Sequence, residues 1–323
     1  MSYNFSMKKI LLTLLIFTAA SAFFLYFIQK NSEASPNPNN PTPPNEQTTT
    51  TAEITKQATT SQKIIEIKNP EVNFVNLPVP FTPEAPDGLM VKPWNNSCEE
   101  ASTVMLDEFY LGNTNARIPK EKAKKMILRY IGIENKIFGY NANTNSKEMV
   151  KLIIEYSKYF EARIVANPTL DDIKEQLKNE RPIIALLNGR KLENPRINFA
   201  VNGSYYHTFV IKGFDEEKKE FIVNDNGDLK QGLDLRYGYD TILGALADYN
   251  HKLGKTVAPP TVIFTKQRIL VKTANSGRIY LITDNEKHHV TSPAILKDNG
   301  WKWNMVLTVE KEWLNKFSEG YPI

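Results

Sequence analysis

The chain holds a single cysteine, Cys98, among 323 residues, and only four histidines. One thiol excludes an intramolecular disulfide and any zinc site built from several thiolates. Excess charge of one sign is also scarce. Lysine and arginine number 40 against 36 acidic residues, a net charge of +4. So small an imbalance gives no broad basic field, and no nucleic-acid partner is expected. No P-loop, dinucleotide fingerprint or calcium loop occurs, so no cofactor is implied. What is present is ordinary for a globular protein: 41% hydrophobic and 24% charged residues, enough for a full core in one or two domains.

The N-terminal part has a different texture. Lys8 and Lys9 precede an apolar run from Ile10 to Ile28 that contains no ionisable residue. Nineteen helical residues rise roughly 28 Å at about 1.5 Å each, close to the hydrocarbon thickness of a bilayer. Ala20-Ser21-Ala22 offers a cleavage signal, but Phe23 to Ile28 continue the apolar run past it, and the expectation is a retained anchor. The early lysines place residues 1–9 in the cytoplasm and the rest outside. Residues 29–63 carry Pro36, Pro38, Pro41, Pro43 and Pro44, then threonines 48–51, the composition of an unstructured linker.

From residue 64 the pattern becomes globular. Helices are expected over Cys98–Tyr110, Pro119–Ile131, Ser146–Phe160 and Leu170–Leu177, the last capped by Thr169. Strands are expected over Pro182–Leu187, then as a hairpin over His207–Phe214 and Glu220–Asp225. A helix over Asp240–Tyr249 and a strand over Thr261–Thr265 close this unit. Helices first and antiparallel strands later make an α+β domain over 64–265.

Chemistry gathers on a few residues. Ser97 and Glu100 have capping-box spacing, which makes Cys98 the first helical residue. A sulfur there lies near free N–H groups and the positive end of the helix dipole, which favour the thiolate; Glu99 and Glu100 oppose that. With Phe214 opposite Glu220, Phe209 faces Asp225 and His207 is its diagonal neighbour, within reach of a long side chain. A carboxylate so placed fixes the tautomer of the imidazole and stabilises its cation. The plain alternatives are a buried cysteine, a strand-edge histidine and a turn aspartate. A metal site on Cys98, His207 and Asp225 is a further alternative.

Val79-Pro-Phe-Thr-Pro-Glu-Ala-Pro86 and Pro93-Trp-Asn-Asn-Ser-Cys-Glu-Glu-Ala-Ser102 resemble the start of the C39-like bacterial cysteine peptidases, which have a papain-like fold. Tyr206 to Asp215 is similar to that family's histidine strand, Ile222 to Asn226 to its aspartate segment, and Tyr239 to Tyr249 to a helix that follows. The resemblance implies Cys98 as nucleophile, His207 as base and Asp225 as the group that orients it. It also implies a glutamine, a donor to the oxyanion, where this chain has Glu84. A carboxylate cannot donate unless it is protonated, so Asn95 or Asn96, with the backbone N–H of Cys98, are alternative donors. Asn226 stands where the family has proline and is an alternative orienter. The implied partner is a peptide or protein near the outer membrane face, the implied activity hydrolysis of peptide or amide bonds. A non-catalytic papain-fold binding module is the other reading.

Residues 266–323 are expected to form a separate small unit. Arg278–Ile282 and His288–Val290 flank a turn, Ser292-Pro293 opens a helix and Gly300 ends it. The unit resembles hairpin–helix units of bacterial surface proteins, which implies a cell-surface ligand. Trp301 and Trp303 are expected either in its core or on a binding face. His288 and His289, adjacent on a strand, point to opposite faces and do not form a metal pair.

Overall fold

The computed structural model describes residues 72–197 and 205–323. The expected cytoplasmic segment, anchor and linker lie outside the described residues. Among those described, no helix is long and apolar enough to cross a membrane.

The helical layer begins with α1, Cys98–Tyr110, followed by α2, Lys120–Ile137, α3, Ser146–Tyr156, and α4, Leu170–Lys178. Local chemistry sets two of these starts. Asn145 and Thr169 each close a reciprocal capping box, with Glu148 and Asp172. α1 is buried nearly all round rather than on one face. Its polar side chains therefore need partners. Asp107 accepts from Tyr130 Oη and Ser157 Oγ, both at 2.6 Å. Glu108 accepts from Lys122 Nζ at 2.7 Å.

A seven-stranded antiparallel sheet packs against these helices. Its strands are β1 Phe74–Asn76, β2 Phe160–Ala166, β3 Ile183–Asn188, β4 Tyr206–Asp215, β5 Glu220–Asn224, β6 Leu235–Gly238 and β9 Thr261–Gln267. Six of them run in the order β2-β9-β3-β4-β5-β6. β1 pairs with the end of β4 beyond the reach of β3. Gly213 makes this approach feasible, because a Cβ there would collide with the main chain of Val75 and Asn76.

Three expectations need correction. The helix read as far as Phe160 stops at Tyr156, and Phe160–Ala166 is instead the edge strand β2. Phe160 and Ala162 are buried on it while Glu161 and Arg163 are not, an alternation that signals a strand. The helix read over Asp240–Tyr249 is α5, Tyr239–Ala245, followed by a short strand β7, Asp248–Asn250, which pairs with β8, Lys255–Val257. Asp248 leaves the helix because its carboxylate accepts from Ser146 N at 3.0 Å and Ser146 Oγ at 2.5 Å. The hairpin register differs at its turn, where Asp215 rather than Phe214 faces Glu220. A bulge between Ile211 and Gly213 absorbs one residue, so Val210 faces Asn224 and the expected register returns toward His207.

Residues 269–319 carry a second sheet, made of β10 Ile269–Thr273, β11 Ile279–Thr283, β12 Glu286–Val290, β13 Leu307–Val309 and β14 Ser318–Glu319. Its order is β13-β10-β11-β12-β14. Period-two alternation divides its apolar residues. Leu270 packs with Ile279, Val290 and Leu296 of α6, Pro293–Asp298, on one face. Ile269 and Val271 pack with Ile282 and Leu314 of α7, Lys311–Leu314, on the other. Trp301 packs against the first of these cores, while Trp303 is 63% exposed.

Candidate functional site

α1 begins at Cys98 as expected, but without the expected capping box. Ser97 makes no side-chain cap. Its hydroxyl instead donates to Glu84 O and Trp94 O, both at 3.0 Å, tying the start of α1 to the preceding loop. The Glu100 carboxyl is turned into the interior toward Glu134 rather than back to Ser97. The electrostatics of the thiol also differ from the expectation. Cys98 Sγ donates to Glu99 Oε2 at 2.9 Å, and Glu99 Oε1 accepts from Thr144 N at 2.8 Å. Burial, then the charges of Glu99 and Glu84, push the thiol pKa well above its ordinary value. Desolvation and acidic neighbours thus outweigh the helix dipole in the resting protein.

His207, 3% exposed, lies at the start of β4. Its Nε2–H donates to Asp225 Oδ1 at 2.7 Å. Asp225 is fully buried, just past the end of β5. Its Oδ1 also accepts from Gly227 N at 3.2 Å, and its Oδ2 accepts from Tyr237 Oη at 2.8 Å. Asn194 Nδ2 donates to the same tyrosine oxygen at 3.0 Å. Gly227 packs on the imidazole so closely that a Cβ would lie 2.8 Å from Cε1. Burial opposes the histidinium, but the charge of Asp225 and its hydrogen bond, with Glu84 and Glu99, prevail and raise the His207 pKa.

Asn226 has a different task from the orienting one. Its Nδ2 donates to Cys98 O and to Ser102 Oγ, both at 2.9 Å. The amide is committed to α1, and Asp225 alone of this pair meets the imidazole. The consequence is useful: consecutive residues of one loop hold the histidine and the first turn of the cysteine's helix.

Glu84 is buried beside this group. Its N–H donates to Asn226 O at 3.0 Å. Burial, offset by His207 and reinforced by Glu99 and Asp225, pushes its pKa up to about 8. Below that value it is a carboxylic acid with a proton to donate. Asn95 is exposed and Asn96 half-buried on the turn before Ser97. No three His, Cys, Asp or Glu side chains among the described residues come together to hold a metal ion.

Tyr237 and Asn194 had no signal in the sequence, because their importance lies in where β6 and the loop after β3 bring them. Glu99 was visible as a neighbouring charge but not as the direct acceptor from the thiol. The family model described as peptidase C39-like matches residues 77–241, about half of the chain. Among solved structures, a Bacillus anthracis chain assigned to the C39-like peptidases is similar, with 18% identity and a TM-score of 0.37; the match covers 59% of this chain and 96% of that one. Among curated protein sequences none matches.

Proposed function

The chain belongs to the peptidase C39-like family, and from that premise we propose that it is a cysteine peptidase or amidase acting through Cys98, His207 and Asp225. Cys98 Sγ attacks the substrate carbonyl carbon while its proton passes to His207. The tetrahedral intermediate collapses when His207 returns that proton to the leaving amine, and a thioester remains on Cys98. Water, deprotonated by His207, then attacks the thioester and releases a carboxylate and the free thiol. Asp225, anchored by Tyr237, keeps Nε2–H occupied and the imidazole oriented.

Protonated Glu84 supplies the oxyanion donor, together with the backbone N–H of Cys98. A neutral carboxylic acid donates as an amide does, so the acid at this position retains the expected task while protonated. The observation that carries the proposal is the buried 2.7 Å bond from His207 to Asp225, in a loop whose next residue grips the main chain of Cys98.

The rate of Cys98 alkylation against pH tests it. As pH falls, Glu84 and Glu99, with pKa values of about 8 and 7, take up protons and cease to repel a thiolate. Burial still holds the thiol up, so the expected result is an alkylation profile that slows and moves to higher pH on His207→Ala, which removes the cation that favours the thiolate. A profile that follows an isolated thiol and is the same in both proteins would end the proposal. The second reading, a papain-fold binding module, is favoured by the bond that holds the resting thiol to Glu99, and that second outcome would support it.

The apolar run from Ile10 to Ile28 is proposed as a single-pass tether with an extracytoplasmic peptidase domain, which restricts substrates to peptides near the outer face. Residues 266–323 are proposed as an accompanying surface-ligand unit. Protease shaving of intact cells should digest the domain and spare the tether; complete protection would contradict this orientation.

A further inference from the structure

Arg268 joins the two sheets and is 3% exposed, yet among the described residues no carboxylate lies within ion-pair distance of it. Its Nη2 donates to Ser157 O at 2.9 Å and Phe160 O at 3.1 Å, its Nη1 meets Met305 Sδ at 3.5 Å, and its Nε has no partner. Carbonyl dipoles satisfy hydrogen atoms but do not cancel a whole charge, and an uncompensated buried cation is costly. Burial pushes its pKa below the ordinary arginine value, outweighing the more distant charges of Glu161 and Asp107.

The same residue lines a cavity of about 280 Å³ between the β2–β9 side of the large sheet and the turn after α6. Arg163, Arg181 and Lys266 also line it, against the single acid Glu161. Asp284 engages Arg181 at 2.8 Å and Lys266 at 2.9 Å. Arg163 has no ion pair among the described residues and lies over the Phe264 ring at 4.9 Å. Ile154, Ala162, Phe264 and Trp301 supply its apolar wall, and Gln176, Thr265 and Asn299 the uncharged polar part. The cavity is remote from the thiol. Cys98 opens α1 and Tyr110, whose hydroxyl meets Thr265 Oγ1 at 2.8 Å, closes it. Those residues are separated by about 18 Å of helix, and Thr265 lines the cavity.

We propose that this cavity binds the C-terminal carboxylate of a short peptide ending in an apolar residue. The carboxylate supplies the counter-charge and accepts from the second hydrogen of Arg268 Nη1, since Nη2 is taken by two carbonyls and Nε is sealed from solvent. The apolar last side chain, attached directly behind it, covers Phe264 and Trp301. A volume at the lower end of ligand pockets suits one or two residues. A free phosphate satisfies the charge but leaves the apolar walls wet. The proposal does not depend on the reaction at Cys98.

Isothermal titration of the full-length Cys98→Ala chain in detergent tests this, with N-acetyl-Ala-Leu as probe, its C-terminal amide as control and inorganic phosphate as a third arm. The acid should bind, with the amide weaker by about 30-fold, the loss of one charge-assisted hydrogen-bonded contact. Arg268→Gln should weaken the acid by about 10-fold or more. Because Arg268 also bonds the chain at Ser157 and Phe160, Arg163→Gln and Trp301→Ala serve as peripheral variants, each expected to weaken the acid by about 3- to 10-fold. Equal binding of acid and amide, no binding of the acid, or unchanged binding in both peripheral variants would overturn the proposal. So would phosphate binding as tight as the acid's, which would mark a simple anion site.

Discussion

The two ends of α1 deal with buried charge in opposite ways. Around Cys98, the acids Glu84, Glu99 and Glu100 are buried with His207 and Asp225, and Glu134 stands behind Glu100. Carboxyl groups can neutralise themselves by taking a proton, and burial biases these toward it: Glu84 and Glu134 rise to about 8, Glu99 to about 7, and burial and the charge of Glu134 push Glu100 well above its ordinary value. At the other end stands Arg268. A guanidinium has no comparable escape, because it does not lose its proton in the accessible pH range. One end can therefore be settled from within by protonation, whereas the other keeps its charge and, on the proposal above, takes an anion from outside. The difference also bears on chemistry. A site crowded with acids hinders a thiolate at high pH and becomes less hostile as those acids protonate.

Substitutions sharpen this contrast, beginning with the largest effect. Asp225→Asn leaves the shape but removes the charge facing the imidazole, and kcat/KM for peptide hydrolysis should fall on the order of 10³-fold. A change under about 3-fold would break the orienting role. Glu84→Gln should next abolish the alkaline limb of the rate profile. Glu84 donates only while protonated, so the wild-type rate falls as pH rises through about 8, and the glutamine chain should be roughly 10-fold faster at high pH. An unchanged limb would remove Glu84 from the oxyanion. Tyr237→Phe should lower kcat by about 5- to 10-fold with little change in KM, since it frees one oxygen of Asp225 without touching substrate; a KM effect alone would argue against positioning. The smallest effect concerns stability. Glu134 is raised from 4.5 to about 8 on folding, so the folded state binds more protons than the unfolded between those values, and stability falls as pH rises across that window. Glu134→Gln should flatten that fall by on the order of 1–2 kcal/mol, measured by urea unfolding at pH 5 and 8; parallel curves would contradict it.

Much of this arrangement was legible in the chain, and the rest was not for identifiable reasons. The helix over Cys98–Tyr110 was legible, although the capping box that was to set its start does not form, and the pairing of His207 with Asp225 followed from strand alternation. The bulge near Lys212 shows why that pairing was reachable despite a wrong turn: a misplacement at Glu220 was undone before the strand reached His207. By contrast, the Ser97 capping box failed because Glu84 O and Trp94 O, distant or unread in the local pattern, captured the hydroxyl. The helix predicted through Tyr249 failed because Asp248 binds Ser146, a residue 102 positions earlier. Tyr237, Asn194 and Arg268 matter only through tertiary neighbours, and no periodicity marks such residues.

The most direct test is to incubate a proteome-derived peptide mixture with the full chain and with Cys98→Ala, and to identify the new termini by mass spectrometry. Wild-type protein should generate cleavage products that the alanine chain does not. The same products from both, or none from either across pH 5–9, would contradict a thiol-dependent hydrolase.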